Sequence, residues 1–543
     1  MNLYIYSGKE SKNIEDYEYT YCLDIGKVYS KNSISLNDEG FLNKIAKDHA
    51  QVYSDFIFSL NAIFKKNNLK SGKDLSLYFL SDISNKRTEI FDSYNIYCNV
   101  TLLNKLIKKY KIKNITIDKC SNSFIDAIKS SNLNTNFKIT NIVHTKNRYL
   151  WPILKNFIFF SKFLFIRVFE NIFFSTQLLP TGKKNFFLTR YPKHLDNKFK
   201  EDKFGDCIKK NDYLLVNILT DGIHQNINFI NYFKFSKHIR NYKKAVILDS
   251  FTKIADIFSC FLKSIKIKSN FRCLFKERYI LDEINLTSAL KEEISLSVIR
   301  IPRLLLLIST TRSFSNFERI KEFNYYLHEY VYGRAFTYVF KNFFSNVALN
   351  AYQHGPASHT KMLYKSGRDE LKHNADGLNN FFIPDKVNCE ENYSKNVYES
   401  SGYINVVVMD RVYRLSYLRS IKIKSRRDAY LIAPGLHDGE DMMNYLEESI
   451  RENPKRRFVL KPHPRSNNSY IKLFLKYANI DISSGSIYQI LGCAKKVYCT
   501  YSSVAIEASI LGIDTEVISL PGRVNESPLI DPVFKKVCNS LRY

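Results

Sequence analysis

From Ile404 onward the chain repeats one pattern: a short apolar run, a polar turn, an amphipathic stretch, then another apolar run. The runs are INVVVMD (404–410), AYLIAPG (429–435), RFVLKPH (457–463), KVYCTYS (496–502) and TEVISLPG (515–522). GEDMMNYLEESIREN (439–453) has amphipathic spacing, and SSVAIEASILG (502–512) opens on Ser and closes on Gly, the punctuation of a helix. A strand–helix alternation of about 25–35 residues per unit is the rhythm of a doubly wound parallel sheet. The first half alternates less regularly, with strands predicted at the start of MNLYIYSGKE (1–10) and at LSLYFLSD (75–82), NITIDKC (114–120), NFFLTRY (185–191), YLLVNILTD (213–221) and AVILDSF (245–251). A helical pattern covers 41–66, and the polar stretch 365–400 is the best linker. At 543 residues the chain exceeds one compact core. The expected fold is therefore α/β, with two Rossmann-like doubly wound domains facing a central cleft. These are 1–385, with additional helices, and 386–543.

Composition excludes several classes. The chain is 45% hydrophobic, which is not a disordered composition. The formal net charge of +28 favours anionic partners, but it is spread along the whole chain and no homeodomain, RRM, KH or zinc-finger pattern accompanies it. A solvated Lys-rich surface that tolerates a membrane face is the reading, with no nucleic-acid partner. Ten cysteines are scattered without a Cys-x-x-Cys pair, which suits a reducing compartment. MNLYIYSGKE lacks a basic n-region and a long apolar h-region, so no signal peptide is expected there. The segment YLWPILKNFIFFSKFLFIRVFENIFF (149–174) is interrupted by Lys155, Lys162, Arg167 and Glu170 and so cannot span a bilayer. It is either an interfacial helix or a core helix.

In a doubly wound sheet, ligands sit beyond the carboxyl ends of the strands. There the sequence places Lys461 and His463, then Ser502, Ser503 and Glu507, then Gly435, His437, Asp438 and Gly439. Imidazole, ammonium, hydroxyls and a helix N-terminus together suit a phosphate, with Glu507 placed to accept from a ribose diol. Each piece alone has a plainer reading: a His-Pro turn, an N-cap, a solvated strand end. The set as a whole points to a nucleotide. No Gly-x-x-x-x-Gly-Lys-Ser/Thr, Gly-x-Gly-x-x-Gly or Asp-x-Asp pattern occurs, so neither P-loop chemistry nor a chelated metal is expected.

KPHP, YCTYSSVAIEASILGIDTEVI and LPGRVNESPL resemble the carboxyl domain of bacterial surface-carbohydrate glycosyltransferases of the GT-B kind, including polysialyltransferases and capsule Kdo transferases. A related His-Pro site occurs in teichoic-acid glycerophosphotransferases. YLWPILKNF, YQHGPASH, IPDKV and GYINVVVMDRVYRLSYL look like an uncharacterised surface carbohydrate biosynthesis family. The resemblance implies that His463 with Ser502 and Ser503 holds the donor phosphate and that Glu507 meets the ribose. Lys461 adds charge to the phosphate, and Gly435, His437 and Asp438 are assigned to the nucleotide. The acidic base motif of the sialyltransferases has only half-matches, at Thr220-Asp221-Gly222 and His437-Asp438-Gly439. His354, beside Gly355 at the end of an apolar run, is the candidate base.

These readings give an expected function. It is metal-independent, cofactor-free transfer of a sugar, in the first instance a CMP-linked nonulosonate or Kdo, to a glycan or lipid-linked acceptor. The setting is the cytoplasm, with peripheral contact at the inner membrane. The alternatives are a CDP-polyol phosphotransferase and a non-catalytic binding scaffold.

Overall fold

The computed structural model of the chain describes every residue except 9–16, 25–32, 73–74, 144–150, 175–176, 178–179, 220–227, 316–318, 327, 372–381, 410–416, 419, 424–427, 464–465, 467 and 541–543. Three parallel sheets organise it. The amino-terminal sheet runs, edge to edge, Ile34–Ser35, Tyr19–Asp24, Asn2–Ser7, Asn114–Ser121, Asn136–Val143. The central sheet runs Ala245–Ile247, Tyr213–Asn217, Lys184–Arg190, Ile320–Tyr326, Ala348–Tyr352, Lys386–Cys389, Val406–Val408. The carboxyl-terminal sheet runs Ile480–Ile482, Arg457–Leu460, Ala429–Ala433, Ala494–Cys499, Asp514–Val517. Within each sheet the strands stand in the order third, second, first, fourth, fifth, the doubly wound order, with its switch point between the first and fourth strands. The expected Rossmann-like units are present, and a further parallel sheet lies within the stretch read as one amino-terminal domain.

Three local expectations are corrected. Residues 75–82 form only the two-residue strand Leu75–Ser76, then a 3-10 turn at Leu77–Leu80 and a short helix. All four turn residues are buried, so an unbroken apolar run marked burial rather than a strand. The strand at 406–408 does not open the carboxyl-terminal unit: it pairs with Lys386–Cys389 at the edge of the central sheet, and the change of sheet comes after it. Residues 365–400 are not a bare linker either. Lys386–Cys389 is a ladder strand, and the Asn392–Ser400 helix turns Tyr393, Val397 and Tyr398 inward, so three apolar residues at helical spacing anchor a mostly polar stretch.

The long Thr287–Ser315 helix is the spine of the first half. By length and composition it alone among the described residues resembles a membrane-crossing helix. It is a core helix: 78% of its most apolar stretch is buried, and the charged Glu293, Arg300 and Arg303 are buried along the helix. The carboxyl-terminal unit is strapped to the amino-terminal one by the LPGRVNESPL segment. Gly522 has φ +66, and a Cβ there would lie 2.6 Å from the backbone of Cys22 and Leu23, so no other residue fits. Its carbonyl accepts from the side chains of Asn95 and Asn99 at 3.1 and 2.8 Å, and the Asn525 N–H donates to Asn43 at 2.8 Å.

Candidate functional site

The switch point of the carboxyl-terminal sheet lies between Ala429–Ala433 and Ala494–Cys499. The loop after the first strand and the loop after the second are packed together by aromatic rings against glycines. A Cβ on Gly435 would stand 2.5 Å from the Tyr501 ring, and one on Gly439 would stand 2.4 Å from the Tyr470 hydroxyl. Gly435 thus serves ring packing. The His437 N–H donates to the Tyr501 hydroxyl at 3.2 Å, leaving the exposed imidazole above the loop. Asp438 is buried, and its Oδ2 accepts from Thr500 Oγ1.

Beside these loops opens a cavity of about 550 Å³. His437, Asp438, Thr500 and Tyr501 form one wall, Ile518–Glu526 another, and Thr88–Asn95 of the amino-terminal unit closes it. Three of the carboxylates lining it each keep one buried oxygen without a hydrogen-bond partner: Glu89 Oε2, Asp438 Oδ1 and Glu526 Oε2. The other oxygens are held: Glu89 Oε1 by Arg87 Nε at 2.9 Å, and Glu526 Oε1 by the Thr88 hydroxyl. Burial pushes Glu526 up to about 8, with Lys361 pulling it back. Burial would raise Glu89 too, but Arg87 and then Lys361 outweigh it and hold Glu89 at about 2. Burial also raises Asp438, against its Thr500 hydrogen bond. Burial thus favours the protonated form of Glu526, while Arg87 favours the ionised form of Glu89. Such a wall offers acceptors and a donor to a polyhydroxylated ligand.

The residues expected from sequence divide between this cavity and its margins. His437 and Asp438 line it. Lys461 and His463 follow the neighbouring Arg457–Leu460 strand, both half-buried. The Lys461 N–H is tied to Ile432, and the His463 carbonyl accepts from Ser466. Ser502 and Ser503 precede the Val504–Ile510 helix, next to Tyr501. That helix has seven residues and already carries Glu507 in its first turn, so its positive end is weaker for an anion than the sequence suggests. Glu507 is 5% exposed and accepts from Ser503 Oγ at 3.2 Å, beneath the loop rather than beside the cavity. None of these last five is among the residues lining the cavity.

His354 follows the Ala348–Tyr352 strand of the central sheet. Its Nδ1 is 3.6 Å from Glu329 Oε2, an ion-pair distance rather than a hydrogen bond, and Tyr398 donates to Glu329 Oε1 at 2.6 Å. Burial keeps the imidazole neutral, with Glu329 opposing. Gly355 does not serve close approach: a Cβ there meets only the Tyr364 hydroxyl, at 3.8 Å. His354 is not among the cavity-lining residues either; Tyr330 links the two places, its ring centroid 5.4 Å from that of His354 and its hydroxyl 3.5 Å from Glu89 Oε1. Thr220-Asp221-Gly222 lies outside the described residues.

Sequence reasoning missed Glu89, Glu329, Tyr330 and Glu526. Glu526 sits inside LPGRVNESPL, a motif noted for likeness rather than chemistry. Glu89 is one acid in RTEIFD with no spacing signal. Among the described residues no three His, Cys, Asp or Glu side chains group closely enough to hold a metal ion.

No known family profile matches the chain, and no curated protein matches it. Among solved structures the chain is similar to UDP-GlcNAc 2-epimerase from Neisseria meningitidis bound to UDP-GlcNAc, at 10% identity, covering 62% of this chain and 82% of that one, with a TM-score of 0.34. It is similar to MurG from Acinetobacter baumannii at 8% identity, covering 66% and 82%, TM-score 0.33. It is also similar to the wall teichoic acid polymerase TagF in a CDPG soak, at 10% identity, covering 73% and 87%, TM-score 0.31. Superpositions this loose carry no argument about chemistry, and the fold stands on the chain's own sheets.

Proposed function

We propose that the protein is a GT-B-type glycosyltransferase of bacterial surface-polysaccharide synthesis, moving a sugar from a nucleotide donor to a glycan or lipid-linked acceptor. The observation that carries this reading is the set of three buried carboxylate oxygens without partners around a strand-end cavity at a topological switch point. A buried unpaired acceptor costs about 1–3 kcal/mol, and the hydroxyls of a sugar satisfy such groups. Lys461, His463, Ser502 and Ser503, at the margin of the same strand ends, take the donor phosphate, and Glu507 supports that loop and the ribose. The motifs KPHP and YSSVAIE favour a CMP-linked acidic sugar. The same His-Pro motif keeps a CDP-polyol phosphotransferase as the second reading.

In this reading departure of the nucleotide phosphate is eased by positioning and by the Lys461 and His463 cations, with neither cofactor nor metal called on. The acceptor's proton goes to a neutral His354 or to Asp438, whose basicity burial raises. The enzyme works in the cytoplasm, on the inner face of the membrane.

A donor screen tests this. Purified protein is given CMP-, CDP-, UDP- and GDP-linked donors and the released nucleotide is identified. CMP release supports the sugar transfer; release of CMP with a polyol phosphate from a CDP donor supports the second reading; no release from any donor overturns both. Asp438→Asn and His354→Ala then separate the bases, since only loss of the true base removes the acidic limb of the pH–rate profile.

A further inference from the structure

The Pro152–Phe173 helix turns its polar side inward. Asn156, Arg167 and Glu170 are buried; Asn156 Oδ1 accepts from Arg303 at 2.9 Å, Arg167 pairs with Glu170, and Ser250 donates to Glu170 at 2.6 Å. Outward, with Trp151 at its head, it presents Phe157, Ile158, Phe165, Ile172 and Phe173, each 52–72% exposed. Phe160 and Phe163 instead belong to the core, so the segment is core on one face and apolar surface on the other.

Two more helices extend that surface. Ile254–Asn270 packs alongside through Phe261, 5.8 Å from the Phe157 ring, and exposes a stripe of Ile254, Phe258, Leu262 and Ile265. Phe229–Arg240 joins at the other end, with Phe229 5.3 Å from the Phe169 ring and Ile230 64% exposed. Half of the large apolar side chains exposed among the described residues lie on these three helices and Trp151. Clustering of that kind marks an interaction surface rather than the scatter normal to a protein exterior.

Lysines decide the partner. Lys234, Lys237, Lys263, Lys266 and Lys268 stand exposed on the same two flanking helices, and Lys253 at the cap of the Ile254–Asn270 helix. On the flank of Ile254–Asn270 away from Phe261 lies a cavity of about 570 Å³. Its rim carries Lys70, Lys263 and Lys266, and its floor is the buried Leu69, Leu77, Ile267 and Leu305. Among the described residues no carboxylate lines it. A cationic rim over an apolar floor fits a phosphate carried on an acyl glycerol. A second copy of a chain with net charge +28 would set lysine against lysine.

We propose that the three helices lie in the headgroup region of an anionic bilayer and that the lysine-rimmed cavity receives the phosphate headgroup of an anionic phospholipid. The inference holds whatever reaction the strand-end cleft performs. Apolar side chains enter the acyl boundary while lysines stay at headgroup level.

The test uses the full chain and vesicles of phosphatidylcholine with or without phosphatidylglycerol. The wild type should sediment with the anionic vesicles and be partly released by salt. Lys263→Ala with Lys266→Ala should lower the partition coefficient on anionic vesicles on the order of thirty-fold and leave binding to neutral vesicles unchanged. Phe157→Ser with Phe165→Ser and Phe258→Ser should lower both, at every salt concentration. All five replaced groups are outside the core, so each variant should melt as the wild type does. Wild-type sedimentation of either variant overturns the proposal. So does a lipid-free dimer that the phenylalanine variant dissolves, which would assign the face to a second copy. A melting shift with millimolar glycerol 3-phosphate, lost in the lysine variant, would assign the cavity to a soluble phosphate instead.

Discussion

Behind the spine helix, Lys86 donates to Glu370 at 2.7 Å with side chains 1% and 0% exposed, Arg334 approaches the same carboxylate at 3.5 Å, and Arg300 pairs with Asp82. The strand-end cleft also buries carboxylates, yet Glu526 and Asp438 are held by the hydroxyls of Thr88 and Thr500, and each keeps a buried oxygen without a hydrogen-bond partner. In the first place Lys86, Arg334 and Arg300 stand against the acids as ion pairs. Asn85 adds to it by accepting from the Val331 N–H at 2.8 Å, locking the 82–86 segment to the central unit. In the second place the fold tolerates acids that it does not neutralise. Buried pairs hold the molecule together; buried acids held by hydroxyls beside a strand-end cavity mark the candidate site.

The comparison breaks first at Glu370. Glu370→Ala should destabilise the protein by about 3–5 kcal/mol, because Lys86 and Arg334 are left unpaired in the core. Chemical denaturation reads this directly, and a cost under about 1 kcal/mol would mean that the network is no clamp. The next largest effect belongs to the margin of the cleft. His463→Ala should reduce turnover by about 10²–10³-fold with the melting temperature unchanged. Unfolding of that variant would move His463 to the structural side.

Glu526 sharpens the contrast through pH. Its folded value of about 8 lies above the ordinary 4.5, so between those limits the native state holds a proton that the unfolded chain has released. Stability therefore falls as pH rises through that window, by about 1.4 kcal/mol per pH unit for one proton. Glu526→Gln should remove this share of the fall, so that its advantage over the wild type grows from pH 5 to pH 8. Glu89, lowered to about 2, acts in the opposite sense and only below pH 4.5. Parallel stability curves for wild type and variant would show that Glu526 ionises freely. The smallest expected effect is none: EDTA should leave turnover standing, and recovery with Mg²⁺ after its loss would contradict the electrostatic role given to Lys461 and His463.

The carboxyl-terminal unit was readable because its strands are buried on both faces and their polar ends coincide with the ligand side. AYLIAPG, RFVLKPH and KVYCTYS all lie where the spacing put them. Val406–Val408 was misplaced because an edge strand of one doubly wound sheet reads like the first strand of the next. The Asn392–Ser400 helix was hidden by its polarity, and LSLYFLSD looked like a strand because burial alone imitates one. His437 and Asp438 were legible as strand-end residues. The partners that make Asp438 part of a site were not. Glu89 comes from the amino-terminal unit, and the strap that carries Gly522 brings it to Glu526. No local pattern records a contact between such distant segments.

The most direct measurement is a thermal-shift comparison with CMP, CDP, UDP and GDP on wild type, His463→Ala and Asp438→Asn. A ligand that binds only the folded state raises the melting temperature. A cytidine nucleotide should raise that of the wild type and shift both variants far less, placing nucleotide at the carboxyl ends of the Arg457–Leu460 and Ala429–Ala433 strands. No shift with any nucleotide, or equal shifts in all three proteins, would contradict the assignment of this cleft.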